Sequence, residues 1–575
     1  MIQQLTHRAV SQVTNAGWIN KLAVILIAAS ALFWLYGALR VVGPIIMADE
    51  YAYLIGGLTI DHLDRLRAAA PTVPVFGNSV FLRLIQAISI ADIPVGLTVK
   101  LINVAAVTGS TWILSHRILK AEVSWRALFL VGVIAFYPVG SYAAYLMPES
   151  LYLLAFSALM VILLASPDTK LISIWTLAGA QFGLMSLLKP HGLFALAAFI
   201  AATFAWCMVS RRVSLAQAAL LGAAHLAAYA VVSLGLGQFV APPAASTGAS
   251  FVGVFYGDMV RSALAQWKAI GQTLDYGTLY ASALVMLFGP SIAYLFRSIV
   301  AERTSPRGEG DLLSFSAFFL LFLIGIILSV ISVLLSGLPP ESNRVHLRYF
   351  SFLFPSLLAL AFIWAGRRPE LDTQRFRLFA TALWVLGAGV FLIRLPALRP
   401  LAIDAPELFF TYPGVEFGSF GLGPFVRPFT GAVVGAGAIA ILSRRVRWQD
   451  AQLLVLAIIL AVSGLNTVIW QGRWGTLQSG PRSVGEVAQR ICSPQPGAIV
   501  AMGTAENFVP LYTPMAAIDH LVPLSLVKPN EFLARARMLE PGSCLLTTSS
   551  ADEALGSALL SRGGVSLYRV DVVVK

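Results

Sequence analysis

The chain has 575 residues, 58% of them hydrophobic and only 12% charged, with a mean hydropathy of +0.79. A soluble chain of this length needs roughly twice that charge to cover its surface, which excludes a water-soluble globular protein. A net charge of +12 would suggest nucleic acid in a soluble protein. Here the basic residues sit in short loops between apolar runs, where they set membrane orientation, so no nucleic-acid partner is expected.

The apolar residues come in runs of about 18–23, enough to cross roughly 30 Å of hydrocarbon. Each run must satisfy its own backbone, which a helix does. The first, Leu22 to Val42, is too long for a signal-peptide core and is followed by no small-residue cleavage site; it reads as a signal anchor. About thirteen spans are expected, centred near Ser30, Val104, Val133, Ala158, Ala178, Ala201, Ala227, Leu287, Leu323, Leu360, Val385, Val434 and Ile459. With the N-terminus inside, every second loop holds a compact basic cluster. These are Arg117, Lys120 and Arg126; Arg211 and Arg212; Arg297, Arg303 and Arg307; Arg367, Arg368, Arg375 and Arg377; and Arg444, Arg445 and Arg447. The parity recurs down the chain and orients it by the positive-inside rule.

The intervening loops carry the chemistry. The first contains Met47-Ala-Asp49-Glu50-Tyr51-Ala-Tyr53. Two carboxylates could mark a membrane boundary, but a boundary needs neither a pair nor flanking tyrosines. Further along, Leu58 to Ala69, with Asp61, Asp64, Arg65 and Arg67 on its polar side, reads as a helix on the membrane surface. Val80 to Ile90, with Arg83 toward water, reads as a second one.

In the second outer loop, Glu149 of Pro148-Glu149-Ser150 serves either as a helix-terminal charge or as a site residue. In the third, Leu188-Lys189-Pro190-His191 places a lysine that either snorkels or contacts phosphate. Arg344, His346, Arg348 and Tyr349 follow Pro340-Glu341. Two arginines and a histidine on the outside run against the positive-inside pattern. They call for an anion, whether a bound phosphate or a carboxylate such as Glu341, Asp49 or Glu50. A carboxylate base with nearby cations suits glycosyl transfer: the base takes the acceptor proton and the cations neutralise the departing phosphate.

The stretch Gly431 to Gly437 reads as small packing positions inside a span, not a dinucleotide loop, because no strand precedes it. His225 is the one titratable group near mid-span and reads as hydrogen-bonded core. Past about Gln471 the hydropathy drops. Ala498 to Met502, Cys544 to Thr548 and Ser566 to Val574 read as strands; Val484 to Ile491, Pro529 to Leu539 and Ala551 to Ser561 read as helices. Cys207 reads as inert core, while Cys492 and Cys544 pair if this stretch lies outside the cytoplasm. The expected fold class is therefore a polytopic α-helical membrane protein. Residues 1–470 form the membrane domain, with surface helices in the loop 43–93. Residues 471–575 form a small extracytoplasmic α/β domain.

The acidic pair Asp49-Glu50 with Tyr51 and Tyr53, the later Pro148-Glu149-Ser150 and the step Lys189-Pro190 together resemble the GT-C superfamily of membrane glycosyltransferases. The likeness is to the branch of protein O-mannosyltransferases and lipid A aminoarabinose transferases, over roughly the first 370 residues. It implies a polyprenyl-phosphate-linked sugar donor, an acceptor hydroxyl on a glycan, lipid or protein, and inversion. It implies Asp49 as general base, with Glu50 and Glu149 as further acidic site residues. Lys189, His191, Arg344, His346, Arg348 and Tyr349 would hold the donor phosphate, and Tyr51, Tyr53, Arg65 and Arg83 would position lipid or acceptor. No cofactor is implied, and no divalent-metal ligand set is visible. The expected setting is the bacterial inner membrane, as part of cell-envelope assembly. Two other classes fit many spans: an O-antigen-type polymerase or ligase, expected to carry one dominant late outer loop, and a transporter, expected to bury charges mid-span.

Overall fold

The computed structural model describes residues 2–41, 50, 77–88, 95–164, 171–189, 191–210, 213–240, 269–302, 311–336, 344–397, 404–411, 425–492, 498–504, 509–518, 522, 524–548 and 557–570. Asp49, Tyr51, Tyr53 and Arg65, and the expected surface helix Leu58 to Ala69, lie outside the described residues.

The membrane part is a bundle of α1 (Ile2–Arg40), α2 (Gly77–Ile88), α3 (Val95–Ala121), α4 (Trp125–Ala135), α5 (Glu149–Leu164), α6 (Leu171–Leu188), α7 (His191–Ser210), α8 (Leu215–Val240), α9 (Ala269–Glu302), α10 (Asp311–Ser336), α11 (Phe354–Arg367), α12 (Gln374–Arg394), α13 (Val426–Leu442) and α14 (Trp448–Ile491). Each of the thirteen expected centres falls in one of these helices. Among the described residues, ten are long and apolar enough to cross a membrane; α5, α11 and α13 are shorter apolar helices. The expected count of thirteen full spans is thus not reached by length alone.

The tightest pair is α6 against α8. A side chain at Gly179 would meet the backbone of His225, and one at Gly183 would meet Val232 and Tyr229. This is the small-xxx-small contact that lets membrane helices approach closely. His225 is fully buried in that contact, its Nδ1 2.9 Å from the Trp175 carbonyl and its ring stacked on Phe199. Of the glycines in 431–437, only Gly437 packs tightly, against Val455 and Trp384; Gly431 and Gly435 face open space. The expectation of three packing positions is corrected to one.

Among the described residues, arginines of the basic clusters lie in one layer. Arg117 donates to the Leu164 carbonyl at the end of α5, Arg297 to Leu371, and Arg377 to Ile441 and Val446, while Arg126 pairs with Asp450. Helix α5 runs from this layer to Glu149; its 16 residues span about 24 Å at 1.5 Å each. Glu149, and with it Lys189, His191, Arg348 and Tyr349, therefore lies at the other end of the bundle.

α14 runs 44 residues without interruption, and the expected helix Val484 to Ile491 is its last turns. Val484 and Ala488 enter the core of a five-stranded sheet ordered β2-β1-β3-β5-β4. Its strands are β1 (Ile499–Gly503), β2 (Leu524–Leu526), β3 (Cys544–Thr547), β4 (Leu560–Arg562) and β5 (Val565–Arg569). β2, β1 and β3 run parallel, β5 antiparallel to β3, and β4 antiparallel to β5. Cys492, just after α14, is disulfide-bonded to Cys544 on β3, with a Cα–Cα distance of 6.1 Å. Two readings change here: β2 was not expected, and Leu560–Arg562 is a strand where a helix ending at Ser561 was expected. Gly563 and Gly564, both at positive φ, turn β4 into β5 in the two-residue hairpin that demands such residues.

Candidate active site

Five of the expected site residues line one narrow cleft: Glu149, Lys189, His191, Arg348 and Tyr349. They come from three separate outer loops. Glu149 opens α5, where the helix dipole favours a carboxylate. Its Oε1 is paired with Lys189 Nζ, both groups nearly buried. Among the described residues, Glu149 Oε2 has no hydrogen-bond partner and is aimed into buried space. The Tyr152 hydroxyl lies 2.8 Å from the carbonyls of both Met185 and Lys189, which fixes the turn that carries the lysine.

His191, at the start of α7, stacks on Tyr349 with ring centroids 4.9 Å apart. Arg348 lies over the same tyrosine ring, 5.3 Å from its centroid. Burial pushes the Tyr349 phenol up, but the charges of Arg348 and His346 outweigh burial and bring it below its usual range. The floor of the cleft is electropositive.

Behind that floor stands a carboxylate that the sequence reading passed over. Asp404 is fully buried, just ahead of the short 3-10 helix Pro406–Thr411. Its Oδ2 accepts from Arg344 Nε at 3.0 Å and Nη2 at 2.5 Å, its Oδ1 faces His346 Nδ1 at 3.1 Å, and Arg348 Nε lies 3.7 Å away. The Arg348 amide also donates to the Asp404 carbonyl at 2.6 Å. Burial alone raises this carboxyl. The facing His346, with Arg348 and Arg344, outweighs it and holds the group well below the usual carboxylate range. The unusual cations thus share one anion, Asp404, which was not among the acids expected for them; Glu341 and Asp49 lie outside the described residues. Arg344 and His346 are drawn toward Asp404 and are not among the cleft-lining residues; Arg348 both borders Asp404 and lines the cleft. Glu407, on the same 3-10 helix, is fully buried and accepts from the Ser351 hydroxyl at 2.5 Å, Ser351 being part of the cleft wall. Burial pushes Glu407 up to about 7.

Glu50 is buried and accepts from the Leu146 amide at 2.6 Å, three residues before Glu149. Asn103 holds the Tyr145 carbonyl and Asn78 the Leu146 carbonyl, so this loop is pinned on three sides. The Tyr145 phenol is raised by burial and then by the charges of Glu50, Asp404 and Glu149, which places all three acids around it. Arg83 is on the exposed face of α2, opposite Leu82 and Ile85, away from the cleft-lining set. Among the described residues, no group of three or more His, Cys, Asp or Glu gathers as metal ligands would.

No protein-family model matches the sequence, and no curated protein matches it. Solved structures do. The chain is similar to the crystal structure of ArnT from Cupriavidus metallidurans bound to undecaprenyl phosphate, at TM-score 0.51 and 13% identity, over 97% of this chain and 98% of that one. It is equally similar to the same protein in the apo state, at TM-score 0.52 and 12% identity, over 96% and 97% of the two chains. From first helix to terminal sheet, then, this chain has the ArnT fold, the one that the GT-C resemblance implies.

Proposed function

We infer that the chain is a GT-C-type glycosyltransferase that moves a sugar from a polyprenyl-phosphate-linked donor to an acceptor hydroxyl at the extracytoplasmic face. One observation carries this reading. A chain with the ArnT fold gathers Glu149, Lys189, His191, Arg348 and Tyr349 into one cleft, at the end of the bundle away from the basic loops. Undecaprenyl phosphate in the ArnT structure indicates the ligand class: a lipid whose single phosphate needs cationic and hydrogen-bonding partners at the membrane boundary.

In the reaction, the acceptor oxygen attacks the anomeric carbon as the bond from that carbon to the phosphate oxygen breaks. The electron pair leaves with the phosphate and the acceptor proton passes to a carboxylate. Asp49 is assigned as that base, next to Glu50, whose carboxylate is tied to the loop leading into Glu149. Lys189 and Arg348 receive the growing charge on the phosphate; a guanidinium and an ammonium aimed there stabilise the transition state more than the ground state. Glu149 holds Lys189 in place, and its free oxygen is available to a sugar hydroxyl. A single displacement by one base inverts the anomeric centre.

The short basic loops support an N-terminus in the cytoplasm, with the cleft and residues 471–575 outside it, in a bacterial inner membrane. The Cys492–Cys544 disulfide suits an oxidising compartment. The C-terminal domain is assigned to acceptor recognition.

The test is Asp49→Asn, assayed in membranes for release of free polyprenyl phosphate from a labelled polyprenyl-phosphate sugar. The variant keeps the shape of the side chain and removes its basicity, so turnover is expected to fall at least 100-fold with donor binding retained. Full turnover removes Asp49 from the mechanism.

A further inference from the structure

A second concavity lies far from this cleft, between α1 and α3. It is an open groove of about 400 Å³. The two helices run antiparallel: Lys100, near the start of α3, donates to the Val41 carbonyl just past the end of α1, while Asn20 and Lys120 share the groove at the other end. The groove is therefore graded along its length. Val24, Ile27 and Trp112 line its apolar end and Asn20, His116 and Lys120 its polar end, with the buried Ser115 between them. From Lys120 to Trp112 is eight residues, about 12 Å along a helix.

The polar groups at the mouth are all able to donate hydrogen bonds, and no carboxylate lines the groove. Ser115 is only 2% exposed, and its hydroxyl has no hydrogen-bond partner among the described residues. Its neighbours in the basic layer are occupied: Arg117 by the Leu164 carbonyl and Arg126 by Asp450. Lys120 makes no ion pair among the described residues and is exposed at the mouth beside His116. The nearest acid in the chain, Glu122, turns toward Gly366 on α11. An unpartnered buried hydroxyl, an unpaired lysine and an apolar trough in line with them ask for a ligand with an anionic head, hydrogen-bond acceptors behind it and a hydrocarbon tail.

We propose that this groove binds one anionic phospholipid from the leaflet on the Lys120 side. The headgroup phosphate sits on Lys120 and His116. A glycerol-ester oxygen accepts from Ser115, and one acyl chain lies along Trp112, Val24 and Ile27. A basic side chain beside an anionic headgroup favours it over a neutral one by about fivefold. Because the groove lies at the opposite end of the bundle from the cleft, the lipid site stands or falls separately from the transferase reading.

The experiment is native mass spectrometry of the full-length protein titrated with phosphatidylglycerol or with phosphatidylcholine, wild type beside Lys120→Gln and Ser115→Ala. The wild type is expected to prefer phosphatidylglycerol about fivefold for the first bound lipid. Lys120→Gln, an exposed change that leaves packing untouched, loses that preference; Ser115→Ala weakens both lipids alike. Equal binding of the two lipids by the wild type overturns the proposal, and so does an unchanged preference in Lys120→Gln.

Discussion

Asp404 and Arg344 share a carboxylate oxygen: Oδ2 accepts from Nε at 3.0 Å and from Nη2 at 2.5 Å, with the aspartate fully excluded from water. His346 and Arg348 close on the other oxygen. One acid thus organises the segment from Arg344 to Tyr349, whose last two residues, Arg348 and Tyr349, line the cleft.

That arrangement makes Asp404 costly to lose. Asp404→Ala leaves buried cations without their partner, and breaking a buried pair costs about 3–5 kcal/mol. Thermal unfolding should show a marked loss of stability, smaller for Asp404→Asn, which keeps the hydrogen-bond geometry. Since the folded carboxyl is held below its unfolded value, its contribution is complete above the ordinary carboxylate range. It is lost progressively as pH falls from that range to the lower value the folded group holds. An Asp404→Ala protein as stable as the wild type would show the cluster to be incidental.

Lys189 and Glu149 form the next pair. Lys189→Ala should lower kcat/KM for the donor by roughly 10²–10³, the usual consequence of removing one group that stabilises a developing anion. If Glu149 acts chiefly by holding the lysine, Glu149→Gln adds little once Lys189 is gone. A double-mutant cycle measures this coupling; strict additivity would assign Glu149 a separate role.

Glu407 titrates in an accessible range. Burial raises it to about 7 from the ordinary 4.5, so folding favours its protonated form. Its stabilising effect is full below pH 4.5 and is lost as pH rises through about 7. The loss is on the order of 3 kcal/mol. Thermal unfolding of Glu407→Gln between pH 5 and 8 should lack the decline that the wild type shows. Tyr137, Tyr142 and Ser351 face this carboxyl and are unchanged in the comparison.

The Cys492–Cys544 bond closes a loop of 52 residues. Reduction, or a Cys492→Ser change, should destabilise the sheet unit by about 3–4 kcal/mol. Limited proteolysis should then cut within 492–570 while the helical bundle stays intact. Equal protease resistance in the reduced protein would contradict this.

The helices were legible because hydrocarbon forces each span to be long, apolar and locally hydrogen-bonded, so every expected centre falls in a helix. Glu149, Lys189, His191, Arg348 and Tyr349 were legible because polar groups at a membrane boundary stand out against apolar flanks. Asp404 was not: it is a lone acid in a loop, 56 to 60 residues from its partners. The signal was indirect: arginines that break the charge rule require an acid, and the reading looked for it in Glu341, Asp49 and Glu50 and not in the stretch Asp404-Ala-Pro-Glu407. Strand β4 was lost because Ala551 to Ser561 looks helical locally, while the Gly563-Gly564 turn that sets its hairpin lies just beyond it.

The most direct test of the central claim is native mass spectrometry of the protein purified from its own membranes, wild type beside Arg348→Ala. The account predicts a co-purifying polyprenyl phosphate, free or sugar-linked, in the wild type and its loss or marked reduction in the variant. Repeated wild-type preparations that retain ordinary phospholipids but no prenyl lipid would contradict it.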